Sequence, residues 1–241
     1  MHGAAILTIH SPAINSNLKP NISFNEKIMT TTELTQALQW RYATKSFDAN
    51  SKLSDEQVEA LTNALHTSPS SFGLQPWKFL IVENPEIREQ LKAYSWNQPQ
   101  LTDASHLVVL CVKESISEAD ISQWIARLAE VQSTPLDKLA PLQGMIHGFT
   151  GAMDAATMQQ WNTRQVYIAL GQLMTAAAVL NIDSCPLEGI SPSDYDQVLG
   201  LSGTGYKTVV ACALGIRSSD DKYATAPKAR YPREHVISVI R

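Results

Sequence analysis

The sequence predicts a single α+β domain, and three observations carry that prediction. Two nearly continuous apolar runs, Leu107 to Val112 and Val209 to Leu214, have the pattern of strands covered on both faces. The segment Gln160 to Leu180 is apolar or small nearly all round, with Trp161, Val166, Tyr167, Leu170, Leu173, Met174 and Ala177 spaced as on a long helix buried on more than one side. Strands mix with long helices, and neither a repeat nor a low-complexity linker divides the 241 residues.

Residues 1 to 28 hold short apolar pieces interrupted by Pro12 and Pro20, with no basic stretch ahead of a continuous apolar one. They read as a dispensable arm rather than a signal peptide, which leaves one domain over residues 29 to 241. Met29 stands before Thr30-Thr31-Thr32-Glu33, a helix start, and Leu34, Ala37 and Leu38 continue at helical spacing, so a helix is expected from Thr32 to Tyr42. A basic loop follows. Ser54-Asp55-Glu56-Gln57 has the form of a capping box, and Val58, Leu61, Ala64 and Leu65 extend a second helix until Ser68-Pro69. Trp77 to Val82 reads as a strand, and Asn84-Pro85-Glu86 then opens a helix with a capping residue and a proline at its first position. Residues 113 to 154 lack a clean strand signal and are punctuated by Pro135, Pro141, Gly144, Gly148 and Gly151. This stretch is expected to be a partly helical excursion serving as a lid. Beyond the long helix, Ile182 to Leu187 reads as a strand, and Val236 to Ile240 as a last one after a polar, Pro-containing loop.

Composition excludes several function classes. A formal net charge of -4 argues against a nucleic-acid binder, which needs an excess of cations for phosphate contacts. No apolar run approaches the roughly 20 residues that a membrane-spanning helix requires. Cys111, Cys185 and Cys212 are odd in number, lack CxxC spacing and sit in apolar stretches, so they read as buried structural thiols in a reducing, cytoplasmic compartment. The six histidines are scattered and form no metal-ligand pattern. The stretch from Gly200 to Thr208 nearly spells a nucleotide-binding loop, but Tyr206 separates Gly205 from Lys207, and Thr208 opens a strand rather than a helix whose amides could hold phosphate. Neither a G-x-S-x-G elbow nor a G-x-G-x-x-G fingerprint is present.

What remains is a set of basic and small residues in loops. Arg41 and Lys45 follow the first helix, and Lys228 and Arg230 precede the last predicted strand. Two such pairs could converge on a phosphate, with arginine as a forked donor and lysine as a point charge. By spacing alone, solvated surface charge is the better reading.

Five separated motifs sharpen the picture. Arg41-Tyr42-Ala43-Thr44-Lys45-Ser46-Phe47 is followed by Ser68-Pro69-Ser70-Ser71-Phe72-Gly73-Leu74-Gln75-Pro76-Trp77, Asp103-Ala104-Ser105-His106, Pro186-Leu187-Glu188-Gly189 and Lys228-Ala229-Arg230. In this order and at this approximate spacing, over about residues 33 to 241, the chain resembles the FMN-dependent nitroreductase family. The resemblance implies a three-layer sandwich, with a central mixed but mostly antiparallel sheet flanked by helices, in an intertwined homodimer. It implies an enzyme that passes hydride from NAD(P)H through FMN to nitroaromatics, quinones or related acceptors in two steps. A dedicated dihydropteridine or enone reductase, and a flavin-binding protein without turnover, are the alternatives.

The same resemblance suggests roles for individual residues. Arg41, Lys228 and Arg230 would hold the FMN phosphate, with Tyr42 and Ala43 in the same cofactor loop, and Lys45 would lie by the pyrimidine edge. A lysine there would stabilise the negative charge that reduction places near N1 and O2. Asn97 and Gln100 match positions near the polar edge of the flavin. Pro69, Ser70, Ser71 and Gly73 would come from the second subunit, and Gln165 falls at another cofactor-side position. Pro186 would pack on the ring beside Leu187, while the backbone N–H groups of Glu188 and Gly189 would point at N5 and O4. No side chain is expected to act as acid or base, and a glycine at 189 would let the backbone approach the ring. Two departures stand out: Ala43 replaces a hydroxyl residue of many relatives, and Gln100 replaces a second lysine of some. Trp124, His147 and Phe149 are candidates for the lid's inner surface, with aromatic packing as the alternative.

Overall fold

A computed structural model describes residues 29–241, so the arm expected over residues 1 to 28 lies outside the described residues. Helix α1 (Thr31–Trp40) opens with a capping box between Thr30 and Glu33 and ends where Arg41 turns extended, two residues before the expected Tyr42. None of its residues is fully buried within the described chain, and Leu34 and Leu38 are exposed. Helix α2 (Asp55–His66) begins at the predicted box of Ser54 and Gln57 and buries Leu61 and Leu65. A 3-10 turn (Ser71–Gly73) leads into β1 (Trp77–Val82), followed by α3 (Pro85–Ala93), capped by Asn84, the short α4 (Gln100–Asp103) and β2 (His106–Lys113).

The excursion is two helices, α5 (Glu118–Gln132) and α6 (Leu136–Gly151). The prolines and glycines read as punctuation do not break α6, because Leu139, Leu142 and Ile146 pack against Ile121 and Ile125 of α5. Tertiary packing there outweighs local propensity. Helix α7 (Ala155–Val179) starts five residues before the expected Gln160, at an Asp154 cap. It is followed by β3 (Asp183–Leu187), α8 (Pro192–Val198), β4 (Tyr206–Gly215) and α9 (Arg233–Val236).

Among the described residues the sheet runs in the order β1-β2-β4-β3, with every neighbouring pair antiparallel. The only parallel pairing among the described residues is a single bridge between Ala43 and Ser184. Strand β2 shows how the layers form. Val108, Leu110 and Val112 join Leu61, Val166, Leu170 and Leu173 on the α2 and α7 side, while Leu107, Val109 and Cys111 join Leu91, Leu101 and Tyr195 on the α3, α4 and α8 side. Alternate side chains of one strand thus fill both cores, which is why the run is continuously apolar. All three cysteines are unpaired and buried, as expected.

One predicted element is overturned. Val236 to Ile240 is not a strand: Arg233 to Val236 is helical, and Ile237 continues extended with no ladder partner. Val239 and Ile240 are 74 % and 97 % exposed. Branched residues favour a strand, but a strand also needs a neighbour to accept its hydrogen bonds, and the described chain offers none here. No helix among the described residues is long and apolar enough to cross a membrane.

Candidate active site

The loop from Arg41 to Ser46 is built by two buried carboxylates that sequence reasoning missed. Thr44 N donates to Ser184 O at 3.2 Å, pinning the loop alongside β3, and Thr44 Oγ1 donates to Asp183 Oδ1 at 3.2 Å. Asp183, 3 % exposed, also accepts from Arg217 N at 2.9 Å and Arg217 Nε at 2.8 Å. The Arg217 guanidinium lies 4.1 Å from the ring centre of Trp40 and 4.7 Å from that of Tyr42, so the two aromatics flanking Arg41 grip one cation.

Asp221 is the second clamp. Its carboxylate accepts from Tyr42 OH (3.0 Å), Lys45 N (2.8 Å), Ser46 N (3.0 Å) and Tyr223 N (3.0 Å). Burial pushes this carboxyl up, but the N–H and O–H donors outweigh it and hold it below the ordinary value. Burial and the Asp221 bond raise Tyr42 to about 12, so the phenol stays a donor. An aspartate in a polar loop 176 residues beyond Lys45 carried no signal by itself.

This scaffold gathers the predicted cations. Lys228 Nζ donates to the carbonyl oxygens of Leu38 (3.0 Å), Gln39 (2.8 Å) and Arg41, capping α1 with its charge. Burial, followed by repulsion from Arg41 and Arg230, pushes Lys228 below the ordinary lysine value. Lys228 thus lies within reach of both arginine charges. Arg41 Nε is buried with no hydrogen-bond acceptor among the described residues. Lys45 projects from the same loop with Nζ 3.9 Å from Cys185 Sγ, and burial pushes that thiol up. Gln100, 4 % exposed at the start of α4, leaves its Oε1 buried without a donor.

Beyond Pro186 and Leu187 the chain leaves β3, and Glu188 and Gly189 meet the turn after α3. Gln98 Nε2 donates to Gly189 O at 3.3 Å, and Ser191 N to Tyr94 O at 2.9 Å. This places exposed Asn97 beside them. The Glu188 carboxylate is not free, because Tyr167 OH of α7 donates to its Oε1.

The remaining predicted residues form a second cluster on α7. Ser71 N donates to Gln165 Oε1 at 2.9 Å, Gln75 N to Ser70 Oγ at 2.9 Å, and Gly73 N to Ser70 O at 2.9 Å. Gly73, at φ 71, is left-handed, and a β-carbon there would lie 2.5 Å from Trp124 Cζ2, so only glycine fits. Phe149 meets Phe72 and Trp161 edge-on at 5.3 and 5.6 Å. Trp124 and Phe149 thus pack on the loop after Pro69, whereas His147 borders a separate cleft with Ile116, Ile121 and Thr150. The structure therefore sorts the predicted residues into a cation-rich group around β3 and a group carried by α7.

Another cleft, of about 510 Å³, is lined by Lys52, Glu83, Arg88, Ser105 and His106 among others, and holds none of the predicted residues. Arg88 there is spent on the carbonyls of Leu101, Ala104 and Ser105.

The family model described as "Nitroreductase family" matches residues 38–216. The chain belongs to the nitroreductase family. YfkO of Bacillus subtilis (strain 168), named as an NAD(P)H nitroreductase, is 37% identical over 217 residues, covering 86% of this chain and 96% of that protein. The oxygen-insensitive NAD(P)H nitroreductase of Enterobacter cloacae is 30% identical over 210 residues, covering 82% of this chain and 95% of that one. A solved structure from Exiguobacterium sibiricum, described as of nitroreductase type and in complex with FMN, superposes with a TM-score of 0.73 at 20% identity, covering 89% of this chain and 99% of that one. Nitroreductase-family membership makes this chain an oxidoreductase, and the shared fold is the three-layer α+β arrangement described above.

Proposed function

We propose that this nitroreductase-family protein binds FMN and passes hydride from NAD(P)H to nitroaromatics, quinones or related acceptors, donor and acceptor taking turns at one site. The observation that carries the proposal is that Lys228 bonds the Arg41 carbonyl and feels the charges of both Arg41 and Arg230, with none of the three ion-paired among the described residues. Like charges held together call for an anion, and a phosphate group meets forked arginine donors well. The two orphaned buried atoms, Arg41 Nε and Gln100 Oε1, fit the same ligand, one asking for an acceptor and the other for a donor. FMN has both, a phosphate at one end and a polar ring edge at the other.

When bound, FMN supplies hydride transfer at its N5. The protein's part is to bind, orient and tune. Arg41 and Arg230 hold the phosphate, while Lys228 adds charge and keeps the end of α1 in place. Lys45 sets a positive charge at the pyrimidine edge, with its backbone fixed by Asp221. Pro186 and Leu187 offer an apolar seat, and the N–H groups of Glu188 and Gly189 are the donors at the reacting edge. This division of labour needs no side-chain acid or base.

The proposed assembly is a homodimer. Leu34 and Leu38 of α1, Tyr167 and Ile168 of α7, and the terminal run from Val236 to Ile240 leave apolar surface exposed that a second copy would cover. In that assembly the 69 to 73 loop closes the site of the other subunit, and Gln165, bonded to Ser71, travels with it. Helices α5 and α6 then serve as the lid, and the cytoplasm is the proposed compartment.

The deciding experiment is purification followed by denaturation and an assay. FMN is released, and the native protein oxidises NADPH or NADH with menadione or nitrofurazone present. Colourless protein that takes up no added FMN ends the proposal, and FMN-loaded protein without turnover reduces it to flavin binding.

A further inference from the structure

Trp96 is 81 % exposed, yet its backbone is held at φ 55. This is the left-handed region that a bulky side chain rarely enters, and Asn97 beside it sits at φ 53. The reversal is enforced by Asn97 N donating to Lys92 O at 3.1 Å and Gln98 N to Ser95 O at 3.0 Å. Its result is placement of the indole. A β-carbon on Gly189 would lie 2.8 Å from Trp96 Cζ3 and 2.9 Å from Cε3, so the six-membered ring rests against the glycine. Gly189 is not itself left-handed, so its backbone conformation would allow a side chain. The atoms that exclude one belong to Trp96.

The strained turn therefore spends conformational energy to hold an aromatic outward, one edge on Gly189 and most of its surface open. Burial does not explain this, since the ring is exposed. Strain of this kind is retained where it positions something.

We propose that Trp96 determines acceptor specificity, its open indole face forming a stacking wall for planar aromatic electron acceptors beside the Glu188–Gly189 backbone. The inference rests on the proposed FMN-dependent reduction. An indole presents a large rigid surface, and offset stacking on a planar ring is worth roughly 3- to 10-fold in affinity, an advantage that a compact inorganic acceptor cannot claim.

The test compares FMN-loaded wild type with Trp96→Leu and Trp96→Phe. The first reading is the Kd of 2-naphthamide, a neutral, redox-inert planar aromatic, followed through the visible absorption of bound FMN. The second is the kcat/KM ratio of menadione to ferricyanide. In Trp96→Leu we expect 2-naphthamide to bind roughly 3- to 10-fold more weakly and the ratio to fall by a similar factor, with Trp96→Phe recovering most of both. An unchanged Kd and ratio overturns the inference. So does a Trp96→Leu protein that loses FMN or its oligomeric state, because Trp96 would then be a structural prop. A wild type that holds FMN but reduces neither acceptor refutes the proposed turnover instead, and 2-naphthamide binding still decides the role of Trp96.

Discussion

Gln165 Oε1 accepts the backbone N–H of Ser71 at 2.9 Å, and its amide nitrogen donates to Trp161 O at 3.0 Å, so one side chain fastens the 69 to 73 loop to α7. Gln165→Ala leaves the Ser71 N–H without its acceptor at a cost of about 1–3 kcal/mol, which lowers the unfolding midpoint by roughly 2–10 °C. Weaker FMN binding is expected in the same variant. Calorimetry with and without FMN checks both, and a variant matching wild type on each count would detach the loop from the site.

Asp221 makes a pH-dependent contribution. Its folded carboxyl lies below the ordinary value, so its stabilisation is complete above the ordinary carboxylate range and is lost as pH falls through that range toward the folded value. Asp221→Asn should cost about 1–3 kcal/mol at pH 7, and the gap between wild type and variant should narrow as pH falls through and below the ordinary carboxylate range. Chemical denaturation at several pH values reads the difference. A constant gap would mean that the carboxylate charge is not what holds the Tyr42–Ser46 loop.

The cations separate by role. Arg41→Ala and Arg230→Ala should weaken FMN binding, with activity largely recovered at high added FMN. Lys45→Ala should slow flavin reduction by about tenfold even at saturation, because it removes a charge beside the ring. Stopped-flow reduction by NADPH of each FMN-saturated variant distinguishes them, and Lys45→Ala matching wild type would remove lysine from the reacting edge.

Tyr167 and Glu188 test whether the chemistry uses a side chain. Burial and the bond to Glu188 raise Tyr167 to about 12, so the phenol stays protonated and flavin reduction should show no break due to Tyr167 between pH 6 and pH 10. Tyr167→Phe and Glu188→Gln should each stay within about tenfold of wild type in the rate of reduction. A loss beyond about 10⁴-fold in Glu188→Gln would demand a catalytic carboxylate.

The chain ends should behave differently. Deleting residues 1 to 28 is expected to leave FMN content, turnover and dimer intact, the family match beginning at residue 38. Deleting residues 237 to 241 removes the exposed Ile237, Val239 and Ile240, and should shift the protein toward monomer in light scattering. A dimer of unchanged affinity after that deletion would place the interface elsewhere.

The sequence by itself determined the local elements and the chemistry of the candidate loops. The runs around Val109 and Ala211, the capping box of Ser54 and Gln57 and the small-and-apolar pattern of α7 each state their structure within a few residues, because propensity and periodicity are local properties. The five motifs, through their resemblance to the family, named the candidate site residues. Only the tertiary structure decided the antiparallel order β1-β2-β4-β3, the continuity of α6 through Pro141, and the exposure of Val239 and Ile240. It alone revealed Asp183 with Arg217, Asp221 with Lys45, and Trp96 against Gly189. These depend on which distant groups meet, and a carboxylate or an indole has the same side chain wherever it stands. Its role comes from its partners, and folding brings those partners together from distant parts of the chain.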